Sequence, residues 1–122
     1  MLEIHKIIDI EIIKQLATEL QIEYNEKDIF LGAFVDGKLS EYVYYKKVDG
    51  GFSIIDVSDK SNDFQIIIGL IKPLIFYVDL AMLEKLILPL KYERIAKAIG
   101  FVQTDNAYEL KLSEYQKRCE CI

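Results

Sequence analysis

The sequence predicts a mixed α/β domain built on one sheet, and three observations carry that expectation. The hydrophobic period switches from 3.6 to 2 and back along the chain, Asp-Gly pairs stand between successive apolar runs, and polar capping residues precede the longest helical stretches. With 122 residues, 52% of them hydrophobic, and no linker, repeat or low-complexity tract, one domain over residues 1–122 is expected.

Each element follows from its local pattern. Leu2 and Ile4 alternate with polar residues as in a short strand. Asp9 then stands at a helix N-cap position, ahead of Ile12, Ile13, Leu16, Ala17 and Leu20 at helical spacing. Residues 29–35, 39–48 and 52–57 are rich in β-branched and aromatic side chains, and Asp36-Gly37 and Asp49-Gly50-Gly51 fall between them. Asp-Gly supplies the positive φ of tight hairpins, so a three-stranded antiparallel meander is predicted. Tyr42, Tyr44 and Tyr45 either line a ligand groove or simply pack a half-buried strand face, and packing is the expected role.

After the meander, capping residues across 58–63 precede Phe64, Ile67, Ile68, Ile71, Leu74, Ile75 and Val78, the pattern of a largely buried helix. Pro73 is expected to kink or split it. Residues 83–88 read as a short buried strand. Pro89 opens a second amphipathic helix through Tyr92, Ile95, Ala96 and Ile99, which Gly100 ends as a left-handed cap. Residues 101–104 and 107–112 form a last strand pair around Asp105-Asn106, and Ser113 with Gln116 can start a short helix by a capping box.

Composition excludes several function classes. Fifteen basic against twenty acidic residues, without a dense Lys/Arg block, argue against a nucleic-acid partner. Residues 64–83 are the most apolar stretch, but Lys72 and Asp79 interrupt it and Pro73 divides it, so a core helix is expected rather than a membrane span. Met1 to Lys6 show no secretory pattern, and a cytoplasmic location is expected. Cys119 and Cys121 are expected as reduced thiols. As a metal site they would supply two ligands where structural zinc needs four, with His5 at the far end of the chain, so no metal is expected.

Strand, helix, three-strand meander, long helix, strand, helix ended by Gly-Phe, then two strands: this order resembles the GNAT superfamily of acyl-coenzyme A N-acyltransferases over the whole chain. The most telling local match is Ile95-Ala96-Lys97-Ala98-Ile99-Gly100-Phe101, which looks like the helix and Gly-Phe turn before that family's sixth strand. The resemblance implies a GNAT-like α/β fold of order β-α-β-β-β-α-β-α-β-β with acetyl-coenzyme A as cosubstrate. It also implies a pyrophosphate held by backbone N–H groups at the start of the long helix, where the dipole favours an anion.

By that resemblance the pyrophosphate-binding stretch is Gln65, Ile66, Ile67, Ile68 and Gly69, and main-chain groups of Ile55 to Val57 pair with the pantetheine arm. The family's pattern is an Arg or Gln, two residues, Gly, one residue, then Gly or Ala. Gly69 fits the final small position, Ile67 replaces the first glycine and Phe64 the basic or amide residue, unless a one-residue shift brings in Gln65. Ile67 is expected to crowd the phosphate approach, and Asp59 and Asp63 bring negative charge close, partly offset by Lys60; both aspartates also serve as helix-start residues.

The family's tyrosine acid falls, by register with Gly100-Phe101, on Ala96. Tyr92 lies one turn earlier and could substitute only if the helix were repositioned. Asp56 and Glu41 are the available carboxylates, with Asp56 the candidate base. The resemblance therefore implies transfer of an acetyl group from acetyl-coenzyme A to a small amine, with Asp56 and Tyr92 as catalytic candidates and a homodimer as one assembly open to the chain. The alternatives are a catalytically inactive binding or interaction module on the same fold, and a plain association domain using an exposed edge strand near the C-terminus.

Overall fold

The structure, a computed structural model, describes residues 1–25, 27–60 and 63–112. Its elements are β1 (Leu2–Lys6), α1 (Ile10–Leu20), β2 (Asp28–Val35), β3 (Lys38–Val48), β4 (Gly51–Val57), α2 (Phe64–Leu80), β5 (Lys85–Leu88), a 3-10 turn (Leu90–Tyr92), α3 (Glu93–Ile99), β6 (Val102–Gln103) and β7 (Tyr108–Lys111). The strands form one sheet in the order β1-β2-β3-β4-β5-β7-β6. Every neighbouring pair is antiparallel except β4 with β5.

Local chemistry accounts for the predicted boundaries. The Asp9 carboxylate accepts the Glu11 N–H at 2.9 Å and starts α1. Asp36 and Gly37 both take positive φ, 50° and 83°, as a two-residue hairpin requires. Gly50 has φ 77° in the next turn, and Gly100 ends α3 in the left-handed region with its N–H on the Ala96 carbonyl. The meander of β2, β3 and β4 is therefore as the sequence predicts.

The structure decides two helical expectations. Of the two outcomes expected at Pro73 the split does not occur: α2 runs through the proline, its buried stripe of Ile67, Leu70, Ile71, Leu74, Ile75 and Val78 continues on both sides, and burying that stripe outweighs one missing N–H. Pro89 does not open a continuous helix; a 3-10 turn follows it, and the last residue of that turn, Tyr92, breaks the helical path before α3 with φ −98° and ψ 44°.

Each face of the sheet has its own core. One face carries Leu31, Val43, Tyr45, Ile54 and Leu86 against α2 and α3. The other carries Phe30, Phe34, Tyr42 and Tyr44 against Ile13 and Leu16 of α1. Among the described residues no helix is long and apolar enough to cross a membrane. The predicted tail helix and the cysteine pair lie outside the described residues.

Candidate active site

The site forms where β4 loses a neighbour. β4 pairs with β5 at Gly51↔Lys85, Phe52↔Leu86 and Ser53↔Ile87, yet it runs on to Val57. β5 ends at Leu88, and Pro89 turns the chain into the 3-10 segment, so the two strands part and leave a wedge. Tyr92, freed from the helix direction by its non-helical backbone, reaches into that wedge. Its hydroxyl accepts the Val57 N–H at 2.9 Å and donates to Asp56 Oδ1 at 3.0 Å.

A β-bulge decides what Asp56 faces. Tyr45 stands opposite Ile54, and Tyr44 stands opposite Asp56, which leaves Ile55 as the extra residue of β4. Without the bulge, Ile54 and Asp56 would share a face. With it, Asp56 crosses to the α1 side, where Tyr42 donates its hydroxyl to Asp56 Oδ2 at 3.2 Å. The carboxylate thus carries a phenol on each oxygen, and Lys91 Nζ lies 4.0 Å from Oδ1.

These phenols hold their protons tightly. Burial pushes Tyr42 well above the ordinary phenol range, and the neighbouring Asp56 charge adds to the rise. Burial also raises Tyr92; the Val57 N–H bond pulls the other way, and Asp56 again raises it. Both are neutral donors near pH 7. Tyr44 and Tyr45 do belong to packing, Tyr44 stacked on Phe30 at 4.9 Å and Tyr45 tilted against Phe52 at 5.2 Å.

Behind Tyr92 lies a cavity of about 170 Å³ lined by Val57, Ser58, Asp59, Phe64, Ile67, Lys91, Tyr92, Arg94 and Ile95. The loop leading into it is pinned by Glu41, which is fully buried on the α2 side of the sheet. Its Oε1 accepts from Ser58 Oγ at 2.9 Å and from the Lys60 N–H at 2.7 Å. Glu41 is therefore an anchor of the loop and does not share Asp56's surroundings.

The start of α2 is occupied by its own cap. Asp63 Oδ1 accepts the N–H groups of Gln65 at 3.0 Å and Ile66 at 3.4 Å, and the Asp63 carbonyl takes the Ile67 N–H. Ile67 is buried along the cavity wall, and Ile68 packs half-buried on the core. Gly69 faces β1, where an added Cβ would meet Ile4 at 3.7 Å. The structure thus brings Asp56, Val57, Ile67 and Tyr92 around one wedge, sets the Gln65 and Ile66 amides beside it under a carboxylate, makes Ile55 the bulge, and places Gly69 away from it. Ala96, at the position the resemblance gives to a tyrosine, is fully buried.

Lys91 and Arg94 join the site without having been singled out by sequence, and Tyr42, weighed with Tyr44 and Tyr45 but expected to pack, joins it too. Nothing in the sequence set Tyr42 apart from its two neighbours, because only the bulge turns Asp56 toward it. Arg94 had a signal, as the only arginine among the described residues and a member of the helix that follows the wedge. Among the described residues no group of three or more His, Cys, Asp or Glu side chains is placed to hold a metal ion.

A seven-stranded sheet of this order, parted between β4 and β5 and followed by a helix ending in Gly-Phe, defines an acyltransferase-type α/β fold. Solved structures identify it further as the fold of GNAT acetyltransferases. A proposed acetyltransferase from Exiguobacterium sp. 255-15 is 13% identical with a TM-score of 0.70, covering 97% of this chain and 98% of its own. A proposed acetyltransferase of the GNAT family from Desulfovibrio desulfuricans is 12% identical at TM-score 0.73, covering 92% and 99%. The ribosomal-protein-S18-alanine N-acetyltransferase of Escherichia coli is 12% identical at TM-score 0.69, covering 92% and 94%. No protein-family model and no curated sequence matches the chain.

Proposed function

We propose that this protein takes an acyl-coenzyme A thioester into the wedge between β4 and β5 and transfers its acyl group to a small amine. The observation that carries this reading is the Tyr92 hydroxyl, set at the parting of the strands and bonded to both Asp56 and the Val57 N–H. A phenol and a carboxylate from opposite sides of the sheet meet at one point, where a proton donor and a proton acceptor are both needed.

The residues fit such a substrate in one part and not in another. The unpaired edge of β4 at Val57 suits an extended amide-bearing arm, once Tyr92 yields that N–H. The amides of Gln65 and Ile66 do not suit a pyrophosphate, because the Asp63 carboxylate already holds them.

The thioester supplies the activated acyl group. Asp56 takes the proton released as the amine nitrogen forms the new C–N bond, and Tyr92, kept protonated by its raised pKa, gives its proton to the departing sulfur as the C–S bond breaks. Tyr42 keeps Asp56 aimed at the wedge.

The test is thiol release from acetyl-coenzyme A over a panel of small amines, with coenzyme A binding followed by calorimetry. Release that Asp56→Asn lowers by about a hundredfold or more supports the assignment. No coenzyme A binding even at millimolar ligand would overturn it. The Asp63 cap and the buried Ile67 favour a second reading, a non-catalytic binding module, and coenzyme A binding without thiol release toward any amine is the result that selects it.

A further inference from the structure

Arg94 is built into the cavity mouth without a carboxylate partner. Its guanidinium carbon lies 3.9 Å from the centroid of the Phe64 ring, and it forms no ion pair among the described residues. Stacking on an aromatic face engages the flat side of a guanidinium and leaves its N–H fork free at the edge, the geometry that grips a phosphoryl group bidentately. Lys91 lines the same cavity, 4.0 Å from Asp56 and above the Tyr92 ring, and Asp59 is the one carboxylate among the lining residues. Lys91 is paired with Asp56, so Arg94 is the cation of this lining that has no carboxylate partner among the described residues, whereas the adjacent helix start is closed to anions by Asp63.

We infer that Arg94, held on Phe64 with Lys91 beside it, is an anion subsite that binds a phosphoryl group of the ligand in place of the α2 amides. This rests on the proposal that the cavity accepts a coenzyme A thioester. The phosphate end of the ligand then lies over α3 and the mouth of the cavity, and phosphate recognition passes from backbone N–H groups to side chains of the helix beyond the wedge. Phe64 acts as a positioning residue, since its ring carries the guanidinium at the cavity wall.

The experiment is calorimetric titration of the full chain with coenzyme A and with pantetheine, which lacks the phosphates, for the parent, Arg94→Ala and Arg94→Lys, with circular dichroism confirming each fold. Arg94→Ala is expected to weaken coenzyme A binding by about tenfold or more and to leave pantetheine within about twofold. Arg94→Lys should recover only part of the loss, because the charge returns without the fork. The coenzyme A affinity of the parent should also fall more steeply with salt than that of Arg94→Ala. An unchanged coenzyme A affinity in Arg94→Ala, or an equal loss for both ligands, overturns the subsite while the acyltransferase reading stands. Failure of the parent to bind either ligand overturns both.

Discussion

The two halves of β4 are held in different ways. Gly51, Phe52 and Ser53 are sandwiched between β3 and β5, with backbone partners on both sides. Asp56 and Val57 pair with β3 on one side only, and on the other the Tyr92 hydroxyl serves in place of a strand. The first half is fixed by close backbone approach, and at Gly51 it has no room for an added Cβ. The second is fixed by side chains, which can move aside, and that difference is why the proposed chemistry is placed in the second half and not in the first.

Gly51→Ala strikes the first half hardest. A Cβ there would collide with the Lys85 carbonyl, so the strand pair must separate, at a cost of roughly 2 to 4 kcal/mol in urea unfolding. A loss below about 0.5 kcal/mol would show that the two strands are held no more tightly at their start than beyond Ser53.

Glu41→Ala removes the anchor of the loop that continues the second half. It removes the acceptor of the Ser58 hydroxyl, which keeps only the Tyr42 N–H, and of the Lys60 N–H, with an expected loss of about 2 kcal/mol. If the loop is the movable part, its amides should also exchange hydrogen faster in this variant than those of Phe52.

Tyr92→Phe keeps the ring and deletes the hydroxyl. Stability should fall by about 1 kcal/mol, since Val57 N–H and Asp56 each lose one partner, while acyl transfer drops by about a hundredfold or more with coenzyme A affinity not weakened. Weakened binding with intact transfer would reverse the roles drawn for the wedge.

The smallest effect concerns alkaline pH. Tyr42 and Tyr92 have raised pKa values when folded, so their stabilisation is complete below the ordinary phenol pKa of about 10 and is lost as pH rises through the folded values. Tyr45, pushed up to about 12 by burial and by Tyr77, adds to the same fall. Unfolding free energy should therefore be level near neutrality and decline above about pH 10. Tyr92→Phe should flatten that decline by one group's share, whereas Ser53→Ala, in the half without titrating groups, should leave its shape unchanged.

Much of the architecture was legible because it rests on local chemistry. Asp9, Asp36-Gly37, Gly50 and Gly100 act through their own backbone angles and nearest amides, so helix starts, hairpins and the α3 stop could be read from neighbouring letters. The alternation of β-branched and aromatic residues likewise marks the meander, whose period does not depend on distant partners. That Pro73 does not split α2 could not be read from neighbouring letters, because its local penalty is small beside a buried stripe that only the packed sheet reveals.

The site was legible in part for the same reason. Asp56 and Tyr92 could be named as candidates from their residue types and places in the element order. Their meeting could not be read, because it depends on one extra residue at Ile55 and on a non-helical Tyr92 backbone, neither of which leaves a periodic mark. The sequence by itself determined the elements and their order, since these follow from short-range propensity and capping, and the resemblance it carries put forward Asp56 and Tyr92 as candidates. Only the tertiary structure decided which face Asp56 meets, where β4 and β5 part, and that Arg94 rests on Phe64. Each of those depends on contacts between segments far apart in the chain, and their geometry is set by how the sheet twists and packs as a whole.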